Sequence, residues 1–412
     1  MMLKDRRYLV LFAVAFVNFL GGTIVLPTLP LYAQRNFGAQ PQQISLLLAS
    51  YFIAQFLAAP LLGRLSDKYG RLPVLLVSQI GTVLSFVMMA AAQDFNVLLL
   101  ARVLDGITGG NLIVAQAYVT DITPKEKRTQ GLGIIFMAFG LGYILGPAVG
   151  GIVSAFSGDH MPFVVGASVT AFTVALTWIF LDESLPKEKR QQRADEGRAR
   201  MSVSEITGNR SLLIILVIGF AAQFCIAIIQ STIALFAAAE LFPGETNQQV
   251  NLGVGLMLTS IGLGQVITQV FFLRPALKRF GEHRLVVYGD ILRGLGMMSI
   301  AMFASPWLVG GVSLLFMAIA SGLMMPSLQG LATMSVREEI NGGALGVYNA
   351  ATSLGLIMGT GLGGSMFDIG HRVPFLIAGG VMLMTVIPAM YLMRRRDPSP
   401  GATVVPVTTP GH

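Results

Sequence analysis

Charge is scarce in this chain. Asp, Glu, Lys and Arg make up 12% of its 412 residues, about half of what a water-soluble protein carries, so the composition does not encode an aqueous globular core. Cysteine is nearly absent: Cys225 stands alone inside an apolar run, which excludes an intrachain disulfide and leaves a small packing residue as its reading. No Gly-x-x-x-x-Gly-Lys-Ser/Thr sequence occurs, and nothing else points to ATP hydrolysis. The basic residues give a formal charge of +7, but they fall in the gaps between apolar runs, so they form solvated faces and no nucleic-acid surface.

What is present instead is a repeated apolar run of about 20 residues, the length that crosses a hydrocarbon core. Backbone groups in lipid need internal partners, and long uninterrupted runs satisfy them as helices. The runs place spans at 8–33, 43–65, 73–93, 95–119, 129–157, 161–181, 211–240, 250–273, 284–304, 307–332, 342–367 and 373–393. The first is longer than the apolar core of a signal peptide, about 7–15 residues, and lacks a clean small-residue cleavage pattern, so it is expected to be retained. An even number of spans puts both termini on one side. Placing that side in the cytoplasm gathers Lys4, Arg6, Arg7, Arg64, Lys68, Arg71, Lys125, Lys127, Arg128, the cluster from Lys187 to Arg210, Arg274, Lys278, Arg279, Arg284, Arg337 and Arg394 to Arg396 there, and leaves Arg35 and Arg372 opposite; the excess of Lys and Arg sets the orientation.

Residues 182–210 are polar and mixed in charge and read as a cytoplasmic linker between an N-terminal six-helix bundle, 1–181, and a C-terminal one, 211–393. The tail, 394–412, is rich in Pro, Thr and Gly and is expected to be disordered. The halves echo each other. Tyr69-Gly70 parallels Phe280-Gly281, Gly131-Leu132-Gly133 parallels Ala344-Leu345-Gly346, and Gly150-Gly151 parallels Gly363-Gly364. Duplicated halves around a central site are how many secondary transporters are built.

A dense charged turn, Gly63 to Pro73, lies between the second and third spans. Asp67 and Arg71 flank Gly70, where a carboxylate can cap helix N–H groups and an arginine can satisfy carbonyls or pair with an acid; a purely topological charge turn is the alternative. In the fourth span Arg102 and Asp105 are three residues apart and share a face. An unpaired charge at that depth costs about 2.5–3.5 kcal/mol on insertion scales, so both side chains should face the bundle interior or an aqueous cavity. Burial favours the neutral acid and Arg102 favours the anion, which leaves Asp105 open as a reversible proton site or as half of a static pair. Asp290 and Arg293 repeat the spacing in the ninth span, about two turns from the cytoplasmic boundary, where Arg293 can snorkel; a structural ion pair is expected there.

Gly142, Gly146 and Gly150 recur every four residues and make a groove for close helix contact, with Gly151 beside them. Pro147 removes a donor and bends the helix. Asn18, Gln55, Asn111, Gln116 and Tyr143, with Gln223, Gln230, Gln265, Tyr348 and Asn349 from the second half, outline a cavity with few fixed charges. Such a cavity suits an amphipathic or apolar small molecule better than a phosphorylated one, which calls for convergent Arg or Lys.

Gly63 to Arg71 resembles the loop motif of the major facilitator superfamily, Gly-x-Leu-Ala/Ser-Asp-Arg/Lys-x-Gly-Arg. Gly140 to Gly151 is similar to the fifth-helix motif of that family's antiporters. Leu99 to Gly106 matches its fourth-helix motif through Arg102 and Gly106, with Asp105 in place of the usual Gln. The resemblance is strongest to the twelve-helix drug/proton antiporter branch, which includes tetracycline and multidrug exporters. It implies an all-α polytopic membrane protein of the major facilitator fold, with twelve transmembrane helices in two pseudo-symmetric six-helix halves. It further implies a secondary active transporter and not an enzyme: a monomeric, proton-coupled exporter of small amphipathic or hydrophobic compounds in the bacterial cytoplasmic (inner) membrane, working by alternating access without a cofactor, with its substrate, protons and membrane lipids as partners.

By the same resemblance Gly63, Asp67, Gly70 and Arg71 form a latch between the halves. Arg102 is the buried arginine of proton coupling, and Gly142, Gly146, Pro147, Gly150 and Gly151 seal the halves against leak. The first-helix acid of several multidrug exporters is missing here, where the span offers Asn18 but no Asp or Glu, and this moves the proton expectation to Asp105. The alternatives are a lipid or metabolite transporter on the same fold and a non-transporting sensor or scaffold.

Overall fold

The computed structural model describes residues 6–109, 111–123, 128–186, 203–303, 305–337 and 340–394. The expectations for most of the linker and for the tail lie outside the described residues. Helix occupies every predicted span. In the first half these are α1 (Arg6–Phe37), α2 (Pro41–Tyr69), α3 (Arg71–Ala90), α4 (Phe95–Thr108) with α5 (Asn111–Ile122), α6 (Arg128–Ser157) and α7 (Met161–Phe180). In the second they are α8 (Arg210–Phe236), α9 (Asn247–Ile267), α10 (Leu273–Met302), α11 (Leu314–Met334), α12 (Asn341–Ile369) and α13 (Val373–Arg394). Among the described residues ten segments are long and apolar enough to cross a membrane; Asn247–Met302 counts as one although it carries both α9 and α10, and α12 is not in the set. Large apolar side chains, among them Phe172, Trp178, Trp307 and Met384, point outward, as a chain surrounded by hydrocarbon requires.

Local chemistry sets the helix ends. Asp94 Oδ1 accepts from Asn96 N at 2.8 Å and Val97 N at 3.0 Å to start α4, Asn209 does the same for α8, and Thr246 with Gln249 forms a capping box on α9. Each cap satisfies backbone donors that have no partner within the helix. Gly70 (φ 107) separates α2 from α3, and Gly281 (φ 73) breaks α10 at the matching place in the second half. Only glycine holds such backbone angles without strain.

The packing is duplicated too. α1 lies along α6 as α8 lies along α12, α2 pairs with α4 as α9 pairs with α11, and α3 packs on α7 as α10 packs on α13. Between the halves α6 meets α9 and α2 meets α12. Gly142 and Gly150 bring α6 against α1, where an added Cβ would sit 2.8 Å from Phe19 Cβ and 2.5 Å from Ile24 O; at Gly146 it would collide with Thr23. Gly151 is about 100° further round the helix and faces the other half, with an added Cβ 2.7 Å from Asn251 O and 2.9 Å from Gly255 Cα. On α12, Gly355, Gly359 and Gly363 receive Phe220, Phe224 and Ser231 of α8, while Gly364 receives Pro41 and Gln42 of α2.

The structure departs from the sequence expectation in three places. The fourth span is two helices, because α4 stops at a turn on Gly109. Three spans contain wider π turns, Ala237–Leu241, Thr268–Phe272 and Val309–Ser313, which apolar periodicity does not reveal. Arg293 does not snorkel: it is fully buried, as is Asp290.

Because Ile24 O is backbone and cannot rotate away, Gly150→Ala should lower stability by about 1–3 kcal/mol, the usual result of overpacking. Gly380→Ala meets nothing within 4 Å and should leave the thermal unfolding midpoint in lipid or detergent unchanged, so equal midpoints for the two variants would contradict the packing described.

Candidate functional site

A cavity of about 340 Å³ lies where the halves face each other. The first half supplies Asn18, Phe19, Tyr51, Phe52, Gln55, Arg102, Phe139 and Tyr143, and the second supplies Gln223, Ile226, Gln230, Gln265, Ser321, Met325 and Thr360. Phe19 and Phe139 meet edge to face at 4.2 Å, and Phe139 stacks on Tyr143 at 6.0 Å. Gln230 Nε2 donates to the Tyr143 hydroxyl at 2.9 Å and ties the two halves across the cavity wall. Aromatic faces with scattered amides and one charged head can hold an amphipathic molecule.

Six of the ten cavity residues expected from sequence line this space: Asn18, Gln55, Tyr143, Gln223, Gln230 and Gln265. Tyr348 does not. It is buried against Gly219 and reaches Met325 with its hydroxyl. Gln116 on α5 and Asn349 on α12 also lie away from the lining, and the side chain of Asn111 is outside the described ones. Polarity within an apolar span could not by itself say which face of the helix a residue occupies. The aromatic lining was missed because an apolar ring in an apolar run carries no signal.

Arg102 forms part of the cavity wall with Asp105 behind it. Arg102 Nη1 donates to Asp105 Oδ2 at 2.8 Å, and the guanidinium sits 4.3 Å from the Tyr51 ring centroid. Both side chains are almost fully buried. The three-residue spacing on α4 makes the pair, and Gly106 lets the helix approach α2 so closely that any Cβ there would collide with Tyr51 O. The second acid and arginine behave differently. Arg293 does not form the ion pair with Asp290 that the sequence led us to expect: its Nη1 donates to Ala222 O at 3.2 Å and its Nη2 to Ser321 Oγ at 2.5 Å.

At the end of the bundle that also carries the start of α1, the linker connections and the close of α13, the charged turn is tightly cross-braced within its own half. Arg71 is buried and donates to Asp67 Oδ1 at 2.6 Å, Asp121 Oδ2 at 3.0 Å and Ser66 Oγ at 2.5 Å.

 Glu183 caps the start of α3, accepting from Arg71 N at 2.8 Å and Leu72 N at 3.2 Å. The partners of the Arg71 side chain all belong to the first half. The turn lies at the end of the bundle where α1 begins and α13 finishes, called the basic end below. A Cβ at Gly63 would meet nothing within 4 Å.

The other end, which carries residues 38–40, 158–160, 242–246 and 370–372, is where the halves close. Arg35 Nη1 on α1 reaches Asp159 Oδ2 at 3.1 Å and Asn251 Oδ1 on α9 at 3.0 Å. Asn251 Nδ2 in turn donates to Ser154 Oγ at 2.7 Å and Asp159 Oδ1 at 2.8 Å. This clamp sits directly beyond the contact of Gly151 with Gly255. None of its members was singled out by motif, yet Arg35 had shown itself as one of two basic residues left on the minority side of the charge bias.

The sequence matches the family model described as Major Facilitator Superfamily over residues 11–245 and 245–409. It is 31% identical over 362 residues to the tetracycline resistance protein, class C, of Escherichia coli, covering 87% of this chain and 89% of that protein. It is 27% identical over 384 residues to Multidrug resistance protein 2 of Bacillus subtilis, covering 92% of each. The crystal structure of the nucleoside transporter NupG shares the fold with a TM-score of 0.75 at 16% identity, over 95% of this chain and 100% of NupG. With its duplicated helical halves, central cavity and family match over nearly the whole length, the chain belongs to the major facilitator superfamily of membrane transporters.

Proposed function

We propose that this protein is a proton-coupled exporter of small amphipathic or hydrophobic compounds that works by alternating access, as a monomer and without a cofactor. The observation that carries the reading is the placement of Arg102, paired with Asp105 behind it, on the wall of a cavity shared by both halves. The names of the resistance proteins it is similar to make tetracycline the first compound to test. The bundles 1–181 and 211–393 are the moving bodies in this account, and the bacterial cytoplasmic membrane, with both termini inside, is their setting. The charge bias then puts the basic end in the cytoplasm and the Arg35 clamp outside, so the conformer is closed to the outside.

The pair gives a physical route to exchange. With Asp105 ionised, it neutralises Arg102 and the cavity wall carries no net charge, so an apolar molecule can cover it. A proton on Asp105 leaves Arg102 with an uncompensated charge beside the cavity. Covering that charge with an apolar ligand is unfavourable by an amount on the scale of about 2.5–3.5 kcal/mol, roughly 100-fold in affinity. Substrate and proton therefore exclude each other, which is the requirement of antiport. The open space over Gly63, and over Gly346 at the matching end of α12, leaves room for the halves to approach at the basic end when the outer contacts part.

In liposomes holding the purified protein, tetracycline efflux should follow an imposed proton gradient, and Asp105→Asn should bind it roughly 100-fold more weakly at neutral pH and lose that dependence. Efflux by the native protein that ignores the gradient would overturn the coupling. The alternating step has its own test. An added Cβ at Gly361 would lie 3.7 Å from Ala49 Cβ across the halves, within the range a disulfide spans. Ala49→Cys with Gly361→Cys should cross-link on mild oxidation and stop transport until reduced; full activity in the cross-linked protein would contradict a moving outer seal.

A further inference from the structure

The two acid and arginine neighbours are in different states of satisfaction. Asp105 is held by Arg102. Asp290 on α10 is fully buried, and neither of its carboxylate oxygens accepts a hydrogen bond. An anion so placed would have given up its water for no hydrogen bond, with only the through-space attraction of Arg293 in return. A neutral acid with a hydrogen to donate fits far better.

The surrounding groups point the same way. On its own helix the charged neighbour is Arg293, whose Nη1 and Nη2 are committed to Ala222 O and Ser321 Oγ; its Nε makes no hydrogen bond. Cys225 approaches from α8, but its thiol is directed to Ala378 O at 3.3 Å. Thr385 approaches from α13, and its hydroxyl donates to Met382 O at 2.7 Å, leaving only lone pairs toward Asp290. α11 contributes Ser321, which donates to Met317 O. Tyr348 of α12 and Tyr143 of α6 stand near Arg293.

We propose that Asp290 is a second proton-binding site, protonated in this conformer, which deepens the exporter reading above and rests on it for its role in transport. Ser321 links the site to the cavity: it lines that space and also receives Arg293. A ligand that takes Ser321 frees the guanidinium to pair with Asp290, and the proton then leaves the carboxyl for water. Asp290 thereby counts a proton against a cavity ligand from the second half, as Asp105 does from the first.

The test is infrared difference spectroscopy on the full-length protein in lipid, following the C=O stretch of protonated carboxyl groups through a pH titration. The native protein should show a band at neutral pH that Asp105→Asn keeps and Asp290→Asn loses. Thr385→Val should move the same band to higher wavenumber by removing its acceptor, and this variant carries the test by itself where Asp290→Asn does not fold. A band that survives in Asp290→Asn, or that Thr385→Val leaves in place, overturns the proposal. Efflux that ignores the proton gradient while the Asp290 band persists would count against the exporter reading and leave the proton site standing.

Discussion

Two helices in this protein must each press against two neighbours at once, and their double glycines make that possible. Gly150 and Gly151 on α6 are adjacent in sequence and point to different partners, α1 of the same half and α9 of the other; Gly363 and Gly364 on α12 do the same toward α8 and α2. Any side chain at these four places would meet backbone or buried hydroxyl atoms within van der Waals distance. The first glycine of each pair holds a half together, and the second lets the halves touch through backbone and small groups. Such a contact has few interlocked side chains to pull apart, which suits the opening that the proposed alternating cycle requires. The cavity exists because this seal closes one end over it.

Buried charge is the second constraint, and the protein meets it in three ways. Arg71 is surrounded by acids and a hydroxyl at the basic end. Arg102 has one acid and an aromatic face. Arg293 is given neutral acceptors although an acid lies beside it. The first arrangement over-satisfies the charge and braces a turn. In the other two a single carboxyl is the nearby acid; Arg102 lines the cavity that a ligand would enter, and Arg293 reaches it through Ser321.

Much of this was legible in the sequence. Apolar length located the helices, and the parallel of Tyr69-Gly70 with Phe280-Gly281 reappears as two glycines with positive φ. The i, i+3 spacing put Arg102 and Asp105 together, since both sit on one continuous helix. The same spacing failed for Asp290 and Arg293, because a partner's proximity on the helix cannot tell whether a carbonyl and a hydroxyl from other helices will claim the guanidinium first. The Arg35 clamp was hidden for a related reason: Asp159 and Asn251 are 124 and 216 residues away in the chain, and polar residues near helix ends are common. Tyr348 looked like a cavity residue by type but packs into Gly219, a contact set by the tertiary arrangement alone.

In the proposed cycle a substrate in the central cavity and a proton on the carboxyl behind its wall displace each other. The most direct measurement is the proton released when tetracycline is added to the purified protein in weakly buffered solution, read with a pH indicator. The account predicts release that saturates with the binding curve at mildly acidic pH, where the carboxyls are protonated before ligand arrives, and that falls away as the pH is raised. Saturable binding with no proton released at any pH would contradict it.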